Sequence, residues 1–271
     1  MNYDYLIHNH YDELTKSERK VADFVLKQGK KIIYATITDV KAATSVGDAT
    51  IIRFCQKLGF NGFSDFKIEI AKEDYTVQEE LEPENPFDNQ ASQLSSAIIN
   101  TAKLIEKDNI KLATQMMSDA NQIYIFGVGG SGQVAECFAS ILLRVGVQAI
   151  TVTDPHFQAQ RASIIKPGDL VVGFSLSGRT KDTYDAMQIG KDNGAKVIAI
   201  TNYTNTPIAR MSDVVLQTAV EEFLNGGSVA GRVSQLYICD VLTKSYELRN
   251  KVDAVALRER VLRSIINKSI D

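Results

Sequence analysis

No stretch of the chain approaches the roughly 18 consecutive apolar residues that a membrane-spanning helix needs. The opening MNYDYLIHNHYDEL also lacks the basic-then-apolar order of a secretory leader. The expectation is a cytoplasmic protein with no membrane partner. Cysteine is scarce: Cys55, Cys137 and Cys239 are odd in number and far apart, which fits reduced core thiols better than a disulfide framework or a zinc site. His8 and His10 stand without a Cys or carboxylate cluster at ligand spacing, so no metal is expected, and no cofactor. Positive charge is not in excess either. A formal net charge of −3 gives no global sign of a nucleic-acid partner.

What is present is ordinary globular material. With 44% hydrophobic and 23% charged residues, 271 residues suffice for one large domain or two of usual size. Charge is segregated along the chain. Lys16, Arg19, Lys20, Lys27, Lys30 and Lys31 face only Glu18 and Asp23 in their stretch, whereas Glu79, Glu80, Glu82, Glu84 and Asp88 have no base among them.

From Tyr11 to about Lys72 the apolar spacing is helical, with no period-two strand. Leu14, Val21, Phe24, Val25 and Leu26 share one side of a helix that Thr15 or Ser17 can cap. The acidic run TVQEELEPENPFDNQ, broken by Pro83 and Pro86, reads as a linker. Helical spacing returns from Ser92 to Met117. Then QIYIFG, QAITVT, LVVGFS, KVIAIT and VVLQT alternate with helical patterns, which predicts a doubly wound parallel sheet with helices on both faces. Two amphipathic helices, Gly231 to Leu248 and Val255 to Ile266, close the chain as docking or dimer elements. The expected layout is a helical domain over 1–75, a linker over 76–90, an α/β domain over 91–250 and a C-terminal helix over 251–271.

In such a sheet, ligands sit beyond the carboxyl ends of the strands. Two loops are placed there. GVGGSG meets the dinucleotide spacing with Gly127, Gly129 and Gly132, and Asp154 lies where a ribose-binding acid belongs. The second loop, SLSGRT, argues against a dinucleotide, because a pyrophosphate on the first glycine turn has no use for the hydroxyls of Ser175, Ser177 and Thr180. Together with the N–H of Gly178, the following helix start and Ser131 on the opposing loop, these hydroxyls suit a single phosphate. Helix capping accounts for one such hydroxyl but not for three around a glycine.

The motifs GxGxS at Gly127 to Ser131 and SxSGxT at Ser175 to Thr180 resemble the sugar isomerase (SIS) domain, over roughly Ala91 to Leu248. The resemblance implies a five-stranded parallel sheet, a phosphate held by Ser175, Ser177 and Thr180, and Ser131 on the same ligand. Asp154 and His156 lie in the loop that can reach the sugar, although a surface histidine is an equal reading. Many SIS enzymes carry Glu where this chain has Arg179. An arginine adds affinity for an anion and cannot serve as a base at neutral pH, which favours binding over turnover, with Glu221, Glu222 and His156 left as the other possible bases.

In Ile37 to Phe60 a short helix with Val40 and Ala43 inward, a turn at Ser45 to Gly47 and a second helix form a helix-turn-helix layout. Its second helix would present Asp48, Thr50, Arg53 and Lys57 to DNA. Arg53 is expected at a guanine edge and Lys57 at phosphate. LTKSERKVADFVL and ATIIRFCQKLGFNGFSDFK closely resemble the DNA-binding domain of RpiR-type regulators, usually LTxSERKxADYIL and ATxxRFCxKLGFxGFxxFK. Two departures stand out: Ser45 replaces a turn glycine, and Gly47 replaces a capping serine. The resemblance implies a non-enzymatic, homodimeric or homotetrameric transcription regulator of carbohydrate metabolism. Its partners would be double-stranded operator DNA and a phosphosugar effector. The alternative is a sugar-phosphate isomerase with an accessory helical domain.

Overall fold

The structure, a computed structural model, describes residues 3–81, 86–220 and 229–266. The chain divides into two compact units between Asn89 and Gln90.

The first unit is helical: α1 (Tyr3–His10), α2 (Lys16–Gln28), α3 (Ile37–Thr44), α4 (Asp48–Lys57) and α5 (Phe63–Leu81). Local chemistry sets the helix starts. Thr15 caps α2 in a reciprocal box, its Oγ1 accepting from the Glu18 N–H at 3.4 Å while Glu18 Oε2 accepts from the Thr15 N–H at 2.8 Å. Thr36 and Asp39 do the same for α3. The apolar faces meet around Val21, Val25, Ile51, Phe54 and Phe66, all fully buried. Phe54 meets Phe66 edge to face with centroids 5.8 Å apart. Each such side chain contributes about 1.5–3 kcal/mol by leaving water. Val40 is inward as expected, but Ala43 is exposed and Thr44 takes the inward place. Its hydroxyl is satisfied by the Val40 carbonyl at 2.6 Å, which lets a polar side chain hold a core position.

Within 76–90 the backbone is helical to Leu81 and again from Pro86, where α6 (Pro86–Leu104) starts. Glutamate is a good helix former, and proline is tolerated in a first helical turn. Pro83 lies outside the described residues.

The second unit alternates α7 (Lys107–Asp119), β1 (Ile123–Gly127), α8 (Gly129–Leu143), β2 (Ala149–Val152), α9 (Pro155–Ala162), β3 (Leu170–Phe174), α10 (Lys181–Asp192), β4 (Lys196–Thr201), α11 (Pro207–Met211) and β5 (Val214–Gln217). Helices α12 (Val229–Asn250) and α13 (Ala254–Ile265) follow. All five strands are parallel, in the order β2-β1-β3-β4-β5. Pairing in register (Ile123 with Leu170, Tyr124 with Val171) sorts side chains by strand period two. Ile123, Ile125, Leu170, Val172, Ile198 and Ile200 pack with residues of α7, α8 and α12. Tyr124, Phe126, Val171, Val197 and Ala199 pack with residues of α9, α10 and α11 on the other face. The sheet is doubly wound, as the uninterrupted apolar strands predict.

Candidate functional site

In this strand order the chain leaves β1 towards β2 on one side, and β3 towards β4 on the other. The switch point lies between β1 and β3, and both motif loops leave the sheet there. The first is built by close packing. A Cβ on Gly127 would stand 3.0 Å from the Ser131 carbonyl oxygen, and one on Gly132 3.0 Å from that of Gly127. Gly129 adopts a positive φ of 57°. The N-cap of α8 is Val128, which has no side chain able to cap.

The second loop begins at Ser175, which is 1% exposed at the end of β3. Gly178 turns the chain at φ 64°. A Cβ there would fall 2.2 Å from Thr206 Oγ1, so only glycine fits. Thr180 stands at the N-cap of α10, yet its side chain makes no cap bond. Instead, Thr180 Oγ1 and Ser175 Oγ lie 3.0 Å apart. Ser177 is exposed, and its hydroxyl accepts from the Arg179 N–H at 3.2 Å. Thr183, in the first turn of α10, is fully buried, and its hydroxyl has no hydrogen-bond partner among the described residues. The capping explanation thus fails for Thr180. The Ser175 and Thr180 hydroxyls meet at the positive end of a twelve-residue helix, a setting that favours negative charge.

The structure brings Gly129, Ser131, Ser175, Ser177, Gly178, Arg179 and Thr180 to the switch point through these two loops, with Arg179 half-buried. His156 is exposed in the first turn of α9. Asp154 caps that helix, accepting from the Phe157 N–H at 3.0 Å. Glu221 and Glu222 lie outside the described residues. Three supporting residues have no local motif. Gln158 donates from Nε2 to the carbonyls of Gly127 and Val152 at 2.9 and 2.8 Å. Gln235 on α12, 1% exposed, donates to Ser131 Oγ at 3.2 Å. Arg232 donates to Gln133 Oε1 at 2.8 Å and runs past Gly130. Only spatial proximity reveals them, since Gln235 is 104 residues from Ser131. No group of three or more metal-ligating side chains occurs among the described residues, and no described helix is long and apolar enough to cross a membrane.

In the first unit, α3 and α4 join through Ser45, a left-handed C-cap at φ 56°, and Gly47, the N-cap of α4. Asp48 pairs with Lys41 at 2.9 Å. Arg53 is exposed and donates to Thr50 Oγ1 at 3.3 Å, so these two form one surface group. Lys57 is exposed but tethered, donating to Glu18 Oε2 at 2.8 Å and to the Glu13 carbonyl at 3.0 Å. Burial raises the Glu18 pKa, but hydrogen bonds from Lys57 and Thr15 outweigh it and leave the carboxyl below its usual value. Lys57 therefore ties the end of α4 to the start of α2, a role its sequence context did not suggest.

Residues 1–76 match the family model of the helix-turn-helix domain of the rpiR family, and residues 116–245 match that of the SIS domain. The chain is 31% identical over 238 residues to the HTH-type transcriptional regulator RpiR of Escherichia coli, covering 84% of this chain and 80% of that protein. It is similar to NanR of Vibrio vulnificus, solved in complex with ManNAc-6P, at 28% identity and a TM-score of 0.81, over 99% of this chain and 100% of that one. The sugar isomerase domain of an RpiR transcription factor from Sphaerobacter thermophilus shares the fold, at 22% identity and a TM-score of 0.58, over 65% of this chain and 96% of that one.

Proposed function

The chain belongs to the rpiR family of helix-turn-helix transcription regulators, and from that premise we propose that it controls carbohydrate genes by sensing a phosphosugar in its SIS domain. The observation that carries the reading is the unused cap: Thr180, the N-cap of α10, makes no side-chain cap bond and sets its hydroxyl against Ser175 instead. Gly129, Ser131, Ser175, Ser177, Gly178, Arg179 and Thr180 would hold the phosphate, and His156 a sugar hydroxyl. That NanR is solved with ManNAc-6P supports an amino-sugar phosphate as the first effector to try.

On the DNA side, Asp48, Thr50, Arg53 and Lys57 would face the operator, with the Arg53–Thr50 pair reading bases. Lys57 contacts phosphate in this scheme only through the part of its surface that Glu18 leaves open. The functional division runs 1–75 for the reader, 76–90 for the connection, 91–250 for the sensor and 251–271 for the C-terminal helix. The protein would act in the cytoplasm as a homodimer or homotetramer. If the effector prefers one arrangement of subunits, it changes the spacing of paired readers against half-sites about 34 Å apart. Isomerase chemistry has less support, because Arg179 fills the slot where a base would serve turnover.

A thermal-shift panel of hexose and hexosamine phosphates, with NAD as the control, tests the sensor. Stabilisation by a phosphosugar that Ser177→Ala abolishes is the expected result. Stabilisation by NAD alone overturns it.

A further inference from the structure

A continuous set of polar contacts runs from the phosphate loop to α6, and Asn202 stands at its junction. The backbone N–H of Asn202 donates to the Leu176 carbonyl at 2.9 Å. The Thr201 hydroxyl donates to the same oxygen at 3.3 Å. Leu176 lies between two proposed phosphate ligands, Ser175 and Ser177. On its other side, the Asn202 amide holds the segment after β5. Its Oδ1 accepts from the Val220 N–H at 2.8 Å and the Thr218 hydroxyl at 3.1 Å, and its Nδ2 donates to the Val220 carbonyl at 2.6 Å. Gln217 Nε2 donates to the Asn202 carbonyl at 3.1 Å.

Between Thr218 and Val220, the Ala219 N–H donates to Thr101 Oγ1 on α6 at 3.1 Å. Thr101 and Thr218 are fully buried and Asn202 is 7% exposed. Buried networks with every member satisfied are stiff, because a broken member leaves a costly unpaired group. A shift of the loop carbonyl therefore moves Asn202 as a body, and Asn202 moves the acceptor and donor pair of Val220. Helix α6 leads in sequence directly back to the DNA-reading unit.

We infer that Asn202 is a positioning residue that conveys occupancy of the Ser175–Thr180 loop, through Val220 and Ala219, to Thr101 on α6. The inference rests on the phosphate-site reading above and adds the route by which binding leaves the site. Coupling between sites is reciprocal and requires an element that both ends bias. Here that element is the 218–220 segment.

Hydrogen exchange on the full chain, with and without millimolar inorganic phosphate as the probe, tests it. In the unsubstituted protein, phosphate should slow exchange in 175–180 and also in 218–220 and 98–105, the latter two by about fivefold, the low end of measured couplings. Asn202→Asp keeps the acceptor but sets a carboxylate oxygen against the Val220 carbonyl. Thr101→Val removes only the acceptor for Ala219 and leaves every loop contact in place. Both variants should keep the protection of 175–180 and lose that of 98–105. Protection of 98–105 that persists in either folded variant overturns the route through Asn202. Should Asn202→Asp fail to fold, Thr101→Val decides alone. If phosphate protects 98–105 in no protein while protecting 175–180, the route fails and the site stands. If 175–180 is not protected at all, the site reading fails and takes the route with it.

Discussion

Ser175 Oγ and Thr180 Oγ1 lie 3.0 Å apart at the mouth of α10, although Thr180 occupies the position from which a hydroxyl ordinarily caps a helix. A side chain held away from its usual local partner is available to a ligand. Thr180→Val takes a partner from the buried Ser175 hydroxyl and should therefore cost the fold about 1–3 kcal/mol. Effector affinity should fall about tenfold or more, because a bond to a charged phosphate is worth roughly 1.5–3 kcal/mol. Thermal melts with titration calorimetry separate the two. A large loss of stability with unchanged affinity would return Thr180 to a structural role.

The two basic residues of α4 should respond differently. Arg53→Ala leaves the core intact and should relax operator preference at one position, at a cost of about 1–3 kcal/mol against the best site. Lys57→Ala leaves the buried Glu18 carboxylate without its cation and should destabilise the reader by about 1–3 kcal/mol. Melting curves and operator binding at two salt concentrations distinguish them. A lower salt slope for Lys57→Ala without loss of stability would make the phosphate contact its main role and the tie to Glu18 dispensable.

Glu18 also sets an acid limit. Its folded pKa lies below the ordinary value of 4.5, so the ionised form is favoured by folding. The stabilisation is fully present above the unfolded pKa and disappears as pH falls through the depressed folded value. Thermal melts from neutral pH down to about pH 3 should show this loss, with the window set by the group's unfolded and folded pKa values. Glu18→Gln should be less stable at neutral pH and should show a flatter acid limb. Parallel curves for the two proteins would assign the acid limb to other carboxylates.

The turn between α3 and α4 carries two residues that can be improved. Ser45 sits at φ 56°, where a side chain costs about 1–2 kcal/mol, part of which glycine returns through its freer unfolded chain. Ser45→Gly should stabilise the reader by about 0.5–1 kcal/mol. Gly47 has open space where a Cβ would stand, and Gly47→Ser should add a few tenths of a kcal/mol as an N-cap. Chemical denaturation measures both, and a loss of stability in either would show that the turn is held by something other than local backbone preference.

The sheet was legible because strands buried on both faces read as uninterrupted apolar runs, whereas the sequence left the α2 cap between Thr15 and Ser17 and the structure gives it to Thr15 with Glu18. Ala43 was misplaced for a physical reason. Over eight residues, the spacings 40–43 and 40–44 fit one helical face almost equally well, and Thr44 hides its polarity by bonding the turn below it. Of the two prolines in the acidic run, Pro86 opens a helix and Pro83 lies outside the described residues. The ties from Glu18 to Lys57 and from Gln235 to Ser131 span 39 and 104 residues. Nothing local announces such pairs, because each forms only when separate elements have packed.

Gly178 lies against Thr206 with no room for even a methyl group, so the shape of its turn is set by packing before any visitor arrives. If the proposed site is right, such a handle would serve any phosphorylated metabolite alike and would sacrifice little chain freedom when gripped. Selectivity then has to reside at the other end of the guest. On that reading, a few outlying side chains, and not the anchor, would decide which nutrient signal is read.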